Sequence, residues 1–363
     1  MTKQTNWYSV LKISGAYLAF LIGSGFATGQ EALQFFAAHG WQGYLATFVM
    51  MLLLSYTSLS LMRAGRRYEL HTNEDVFRHF CGPYLGVALT WYTMIMIVAV
   101  AAVMLAGAAA TLDQAYGVPF YAGAGLMAIL AMATMMLGFR KILDVLGLVG
   151  PVLIILTIIV ACMSVSQNLA YLTDGAARST ELEILTATPH WLFAGFVYVG
   201  LTLPAMASLL PQVGATMESE KDIRIVAVIG PMLIGLAMLV VLTALLSSIE
   251  SVYRAEVPMM VLANEVMPIY GSIFAIVIFL GIFTTVTPLL WTVCSRFAEE
   301  ETKGYRLLVF GLTLAALLGA TVLPFGQLLN LIYPSIGYVG LTILASILVK
   351  DVSAFVARNR TIP

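Results

Sequence analysis

Hydrophobic residues form long stretches along the chain, separated by short segments that are charged or rich in glycine and proline. A charge-free apolar stretch of about 20 residues is typical of a helix that crosses a lipid bilayer. The last stretch, residues 307–349, is too long for one such helix, and Pro324 and Gly326 divide it. The pattern therefore predicts ten membrane-spanning helices, at about 11–38, 41–63, 84–111, 119–138, 146–166, 190–215, 225–248, 269–294, 306–322 and 328–349.

Composition supports the same fold class. The 363 residues are 60% hydrophobic and 10% charged, and the mean hydropathy is +0.94, whereas soluble domains average about 45–50% apolar and about 25% charged residues. We expect an all-α integral membrane protein, with residues 1–363 in one transmembrane domain and the lipid bilayer as its solvent. The net charge of −1 supplies no basic field, so nucleic acid is not an expected partner. Hydrolase, metalloprotease, phosphate-loop and dinucleotide motifs are absent, so neither an enzyme nor an organic cofactor is expected.

Lysine and arginine are divided unequally between the two sides of the predicted bundle. With a cytoplasmic N-terminus, 16 of the 18 basic residues fall in cytoplasmic segments, and only Arg178 and Arg254 fall on the other side. Cytoplasmic loops of membrane proteins carry such an excess of Lys and Arg. The distribution predicts an even number of spans, with both termini in the cytoplasm.

The ten predicted helices divide into two blocks of similar length, residues 11–166 and 190–349. Five is an odd number, so the second block enters the membrane from the opposite side, and a repeat of the first block would be inverted. Each block opens with a helix that glycine or proline interrupts near its middle, at 22–29 in the first and at 199–204 in the sixth. Paired interruptions of this kind indicate the binding site of a secondary transporter.

Non-helical backbone inside a membrane survives only where it is buried in protein or lines a cavity. Its free carbonyls can bind a cation, and the amides that begin the next half-helix can bind a carboxylate. The alternative is that Gly25 and Gly29, spaced as GxxxG, allow two helices to pack closely.

Glu31 is the one charged residue well inside a predicted span. An ionisable residue in the membrane indicates a functional site. We consider three roles for Glu31: coupling to a proton or another cation, direct contact with the solute, or a structural role in accepting hydrogen bonds from the broken backbone of the sixth helix.

The eighth predicted helix carries a cluster of oxygen atoms. Gly281, Thr284 and Thr285 lie on one face, and Pro288 cannot donate a hydrogen bond to the carbonyl of Thr284. Hard oxygen ligands of this kind suit a small cation such as sodium. The alternative is that both hydroxyls donate to carbonyls of their own helix.

Tyr92 in the third helix and Tyr198 in the sixth are amphipathic residues that could line a solute cavity, or else lie in the core or at the membrane interface.

The nine residues from Gly23 to Glu31, GSGFATGQE, resemble the signature of YkvI-type bacterial membrane proteins. These are relatives of the amino acid-polyamine-organocation transporters, which have the LeuT-type fold. The resemblance implies a LeuT-like 5+5 inverted repeat, location in a bacterial inner membrane, and substrate binding at the unwound first and sixth helices.

The resemblance also implies roles for individual residues. The segment from Ile22 to Gly25, followed by Phe26, corresponds to the unwound backbone whose amides hold a substrate carboxylate. Carbonyls near Gly200 and Thr202 would then meet the amine of the solute. The sodium site would consist of Ala19, Ile22, Gly281, Thr284 and Thr285. This chain departs from the sodium-coupled members at Gln30 and Glu31.

These observations predict a secondary transporter of a small polar solute, an amino acid or related zwitterion, driven by sodium or protons through alternating access. The alternative is a membrane receptor or sensor that keeps a transporter-like pocket without net transport. A channel is a third class, but it predicts a continuous polar lining that the single residue Glu31 does not supply.

Overall fold

A computed structural model describes residues 7–21, 23–137, 143–217, 219–300 and 302–360, and within these ranges the regular structure is entirely helical. The helices are α1 Trp7–Leu21, α2 Ser24–Thr28, α3 Gln30–Phe35, α4 Gln42–Tyr68, α5 Asn73–Cys81, α6 Pro83–Tyr116, α7 Phe120–Leu137, α8 Leu143–Asn168, α9 Leu172–Arg178, α10 Trp191–Thr216, α11 Glu220–Ser247, α12 Ile249–Val252, α13 Pro258–Val266, α14 Pro268–Phe297, α15 Lys303–Ala320 and α16 Phe325–Arg360. Short 3-10 turns lie at Ala37–His39 and Leu169–Tyr171.

Eight of these helices are long and apolar enough to cross a membrane, counted over the described ranges. They are α4, α6, α8, α10, α11, α14, α15 and α16, and each coincides with a predicted span. The fourth predicted span coincides with the shorter α7, and the first is divided among α1, α2 and α3. The all-helical membrane class is therefore confirmed, while ten crossings and the inverted repeat remain predictions.

Short amphipathic helices separate several of the long ones. The helix α5 begins with a capping box, in which Thr72 accepts a hydrogen bond from the amide of Asp75 and the Asp75 side chain accepts one from the amide of Thr72. Near the other end of α5, the Lys350 ammonium of α16 donates to the carbonyl of His79. The helices α12 and α13 occupy the matching place in the order of elements, between α11 and α14.

The broken first helix lies in the middle of the bundle. Its segment α2 packs against α6, α8, α13 and α14, and α3 packs against α10, α11 and α16. All six residues of α3 are buried. The helix α10 contacts both α1 and α3, so the two predicted openings of the repeats, the first helix and α10, lie next to each other.

The prediction that the sixth helix is broken is wrong. The helix α10 runs without interruption from Trp191 to Thr216, with Pro204 inside it. A Cβ at Gly200 would overlap the carbonyl oxygen of Gly337 on α16, and a Cβ at Gly340 would overlap that of Gly200. Glycine at 200 therefore serves close packing of two helices, and this packing supports the helix where Pro204 removes one amide donor.

Candidate functional site

The break in the first helix is confirmed. The helix α1 ends at Leu21, Gly23 is extended with φ −83° and ψ −179°, and α2 begins at Ser24. Ile22 lies outside the described residues. A second interruption follows at Gly29, whose φ of +86° is a left-handed conformation that favours glycine.

The first turn of α13 packs closely against Gly29, so a side chain at this position would clash. A Cβ there would lie 2.9 Å from Cγ of Met259 and 3.1 Å from the amide nitrogen of Met259, in the first turn of α13. The left-handed turn at Gly29 therefore lies where the first turn of α13 packs against the chain.

Glu31 lies directly after this turn and is 8% exposed. The hydroxyl of Tyr198 on α10 donates to Oε2 of Glu31 over 3.1 Å. The ring of Tyr198 is held edge-on by Phe35 at 5.4 Å and Phe36 at 5.3 Å between centroids. The predicted residues Glu31 and Tyr198 thus meet in one buried pair that joins α3 to α10.

Gly25 determines where the other carboxylate oxygen of Glu31 can lie. A Cβ at Gly25 would overlap Oε1 of Glu31 and would lie 3.3 Å from the hydroxyl of Tyr333 on α16. The carboxylate of Glu31 therefore fills the notch in the broken helix that the missing side chain of Gly25 leaves. We define Gly25, Glu31, Tyr198 and Tyr333 as the central acidic site.

Amide side chains continue from the central acidic site toward α13. Gln30 donates to the carbonyl of Ala255 over 2.7 Å. Gln34 donates to Gln30 Oε1 over 2.9 Å and to the carbonyl of Gly326 over 2.8 Å, and it accepts from Asn330 over 2.9 Å. This chain of amides fixes α3 to the start of α16 and to the segment before α13.

Hydrogen bonds to α16 and to α6 also hold the segment 255–257. The carboxylate of Glu256 accepts a hydrogen bond of 2.7 Å from the amide of Gly326, in the first turn of α16. Gln114 of α6 bonds both the amide and the carbonyl of Val257. Burial raises the pKa of Glu256, and the hydrogen bond from Gly326 opposes this shift.

The predicted sodium ligands on α14 bond within their own helix. The hydroxyls of Thr284 and Thr285 donate to the carbonyl of Gly281, over 2.8 and 2.9 Å. Their oxygen lone pairs remain available to a cation. The partners predicted on the first helix are Ala19, whose backbone belongs to α1, and Ile22, which the structure does not describe. The sodium site remains a prediction.

The other residues predicted to bind the solute lie in several different places in the structure. Phe26 is 1% exposed and belongs to the core, and Gly23 forms the break itself. Ser24 begins α2, and its side chain lies outside the described part. Thr202 donates to the carbonyl of Val199, one turn back in α10. Tyr92 donates to the carbonyl of Ser335 over 3.3 Å, so it links α6 to α16 rather than joining the central acidic site.

Tyr333, Gln34 and Asn330 were not identified from the sequence. Gln34 carries a signal, since it lies one helical turn after Gln30 inside an apolar stretch. Asn330 is likewise a polar residue within a charge-free stretch. Tyr333 is one of 16 tyrosines, and its position beside Gly25 depends on the packing of α16.

Two relatives from Bacillus subtilis (strain 168) match this chain along almost its whole length. The membrane protein YkvI is 25% identical over 345 residues, which cover 94% of this chain and 96% of YkvI. The protein YyaD is 23% identical over 348 residues, which cover 95% of this chain and 98% of YyaD. The predicted resemblance to YkvI-type membrane proteins is confirmed. No protein-family model matches the chain.

Among solved structures, the chain is similar to two mutant forms of a manganese transporter from Eremococcus coleocola. They are 14% and 13% identical to it, and both comparisons cover 96% of this chain and 79% of the transporter with a TM-score of 0.50. At this identity the similarity shows the fold. The architecture is thus one that a membrane transporter also has.

Proposed function

We propose that this protein is a secondary active transporter of a small polar solute that carries a positively charged amine. The observation that carries the proposal is the central acidic site, in which a buried carboxylate lies at an interrupted helix. A carboxylate removed from water is costly unless a cation, a proton or hydrogen-bond donors compensate it. Tyr198 supplies one donor, and an amine would supply the countercharge.

Amino acids and related zwitterions are the solute class predicted from the sequence, and each carries such an amine. The transport of manganese is a property of the structural neighbours. In the described part of this chain, no group of three or more His, Cys, Asp or Glu side chains could hold a metal ion. The proposal therefore does not extend manganese transport to this protein.

The order of elements supports transport by alternating access with a LeuT-like inverted repeat. Each proposed block has a short helical segment between its second and third long helices, α5 in the first block and α12 with α13 in the second. In the predicted orientation, α5 lies on the cytoplasmic side and α13 on the outer side. We propose that α1 to α4, α10 and α11 move against the remaining long helices.

Two sources of coupling are consistent with the contacts. Sodium would bind at the carbonyl of Gly281 and the hydroxyls of Thr284 and Thr285, and a proton would bind at Glu31. Glu31 lies in the broken first helix itself, and α14, which carries Gly281, Thr284 and Thr285, contacts the segment α2 of that helix.

The test is uptake of radiolabelled amines and amino acids into proteoliposomes, with sodium and proton gradients imposed separately. The proposal expects accumulation that one gradient drives and that Glu31→Gln abolishes. The matched control is Glu183→Gln, which alters an exposed acid between α9 and α10 and should leave uptake unchanged. Binding without accumulation under either gradient would contradict transport and favour a receptor.

A further inference from the structure

The notch at Gly25 is already occupied by a carboxylate that belongs to the protein. A Cβ on residue 25 would overlap Oε1 of Glu31 and would lie 3.1 Å from Cδ of Glu31. A substrate carboxylate that bound the broken helix at Gly25 would need this same space. The side chain of Glu31 therefore competes with the carboxylate of an amino acid for its predicted position.

Within the described ranges, the side chain that bonds the Glu31 carboxylate is the hydroxyl of Tyr198 and not a basic group. The ion pairs in the described part of the chain engage Glu74, Glu220 and Glu250, all away from this site. The groups that face Glu31 from neighbouring helices are the hydroxyls of Tyr198 and Tyr333. A second carboxylate placed here would meet like charge without a cation to screen it.

A positively charged amine would be attracted to the carboxylate of Glu31, whereas a second carboxylate would be repelled. The amine would donate a hydrogen bond to the carboxylate of Glu31, and the rings of Tyr198 and Tyr333 are apolar surfaces that a short carbon chain can contact. Tyr198 and Tyr333 are 3% and 5% exposed, so the pair forms in a region from which water is largely excluded.

We infer that the central acidic site selects amines that carry no carboxylate of their own, because Glu31 occupies the carboxylate position at Gly25. This inference rests on the proposed function and narrows its substrate class. Amino acids are then weak ligands, and the amine formed by removing the carboxylate from the same molecule is the stronger one.

Matched pairs of compounds test the inference with the full-length protein in lipid nanodiscs. Each pair has one carbon skeleton with and without the carboxylate: phenylalanine with phenethylamine, arginine with agmatine, lysine with cadaverine, and serine with ethanolamine. The methyl ester of each amino acid is included, since it keeps the skeleton and removes the negative charge. Dissociation constants are measured by calorimetry, and thermal stabilisation gives a second readout.

In the wild-type protein we expect the amine of at least one pair to bind about tenfold or more tightly than its amino acid. The methyl ester should bind like the amine. In Glu31→Gln, which removes the charge but keeps the shape, the difference between amine and amino acid should fall below about twofold. The Glu183→Gln control should keep the wild-type difference.

Three results would overturn the inference. One is that, in every pair that binds, the amino acid binds the wild-type protein as tightly as its amine, which would leave the proposed transport function standing. The second is a tenfold preference for the amine that persists in Glu31→Gln. The third is a panel in which no compound binds, which would also remove the amine from the proposed function. If Glu31→Gln does not fold, the methyl esters still decide the question, because an ester that binds as weakly as its amino acid contradicts the inference.

Discussion

The hydrogen bond between Tyr198 and Glu31 allows the central acidic site to be tested independently of any solute. Tyr198→Phe removes the hydroxyl and leaves the ring that packs against Phe35 and Phe36. Glu31→Met removes both oxygen atoms of the carboxylate and keeps a side chain of similar length. Combining the two changes in a double-mutant cycle isolates the energy of the pair from the packing of each residue.

The size of the coupling follows from the burial of the pair. The bond is 3.1 Å long, and its two residues are 3% and 8% exposed. A hydrogen bond to a charged group contributes about 1.5–3 kcal/mol, whereas one between neutral groups contributes about 1 kcal/mol. We expect a coupling free energy of about 1.5–3 kcal/mol if Glu31 is ionised, and about 1 kcal/mol if it holds a proton.

The assay is reversible unfolding of the purified protein in mixed micelles, followed by tryptophan fluorescence. A control cycle pairs Glu31→Met with Tyr44→Phe, which removes a separate hydrogen bond of 2.9 Å between Tyr44 and Thr243. That cycle should be additive within about 0.5 kcal/mol, as for independent sites. Additive effects of Glu31→Met and Tyr198→Phe would refute the buried pair on which both proposals depend.

Further predictions concern packing, coupling and pH. Gly200→Ala should lower the free energy of unfolding by about 1–3 kcal/mol because α10 and α16 must separate, whereas Gly311→Ala, with open space around it, should be neutral or stabilise by up to about 1 kcal/mol; micelle unfolding measures both. Joint change of Thr284 and Thr285 to Val should abolish sodium-dependent uptake in proteoliposomes, and unchanged dependence would remove the sodium site. The hydroxyl of Thr72, which caps α5, donates to Asp75 and holds the pKa of that carboxyl below its usual range. The contribution of Asp75 to the free energy of unfolding is therefore present above its pKa in the unfolded chain and is lost as the pH falls through its pKa in the folded protein. Asp75→Asn should flatten this acid dependence in unfolding curves measured across pH.

The sequence was sufficient for the membrane class and for the positions of the long helices, because lipid imposes a length and a composition on each crossing. The break at Gly23 was also predictable, since three glycines within a short stretch weaken a helix. The same reasoning was wrong for the sixth helix. Gly200 is a residue type that is common where helices break, but here it contacts Gly337 and Gly340 of α16. Gly337 is 137 residues away in the chain.

The central acidic site was predictable in part. Glu31 was identified because it is charged inside an apolar stretch. A hydrogen bond from the broken backbone of the sixth helix was one of the roles considered, whereas the donor in the structure is the side chain of Tyr198. The contact of Glu31 with Gly25 and Tyr333 depends on the second interruption at Gly29, where a left-handed turn and the approach of Met259 redirect the chain. Such a turn is a consequence of tertiary packing, so local sequence does not specify where the carboxylate points.

The length of α16 has a practical consequence. Its 36 residues correspond to about 54 Å at the helical rise of about 1.5 Å per residue, while the hydrocarbon layer is about 30 Å thick. If the tenth span is the predicted 328–349, the last turns continue beyond the lipid as an arm, which a hydrogen bond of 2.8 Å from Tyr56 of α4 to Asp351 holds near its base. A fluorophore attached to the end of this arm would rotate with α16, so its polarisation in oriented bilayers would report the tilt of that helix in real time.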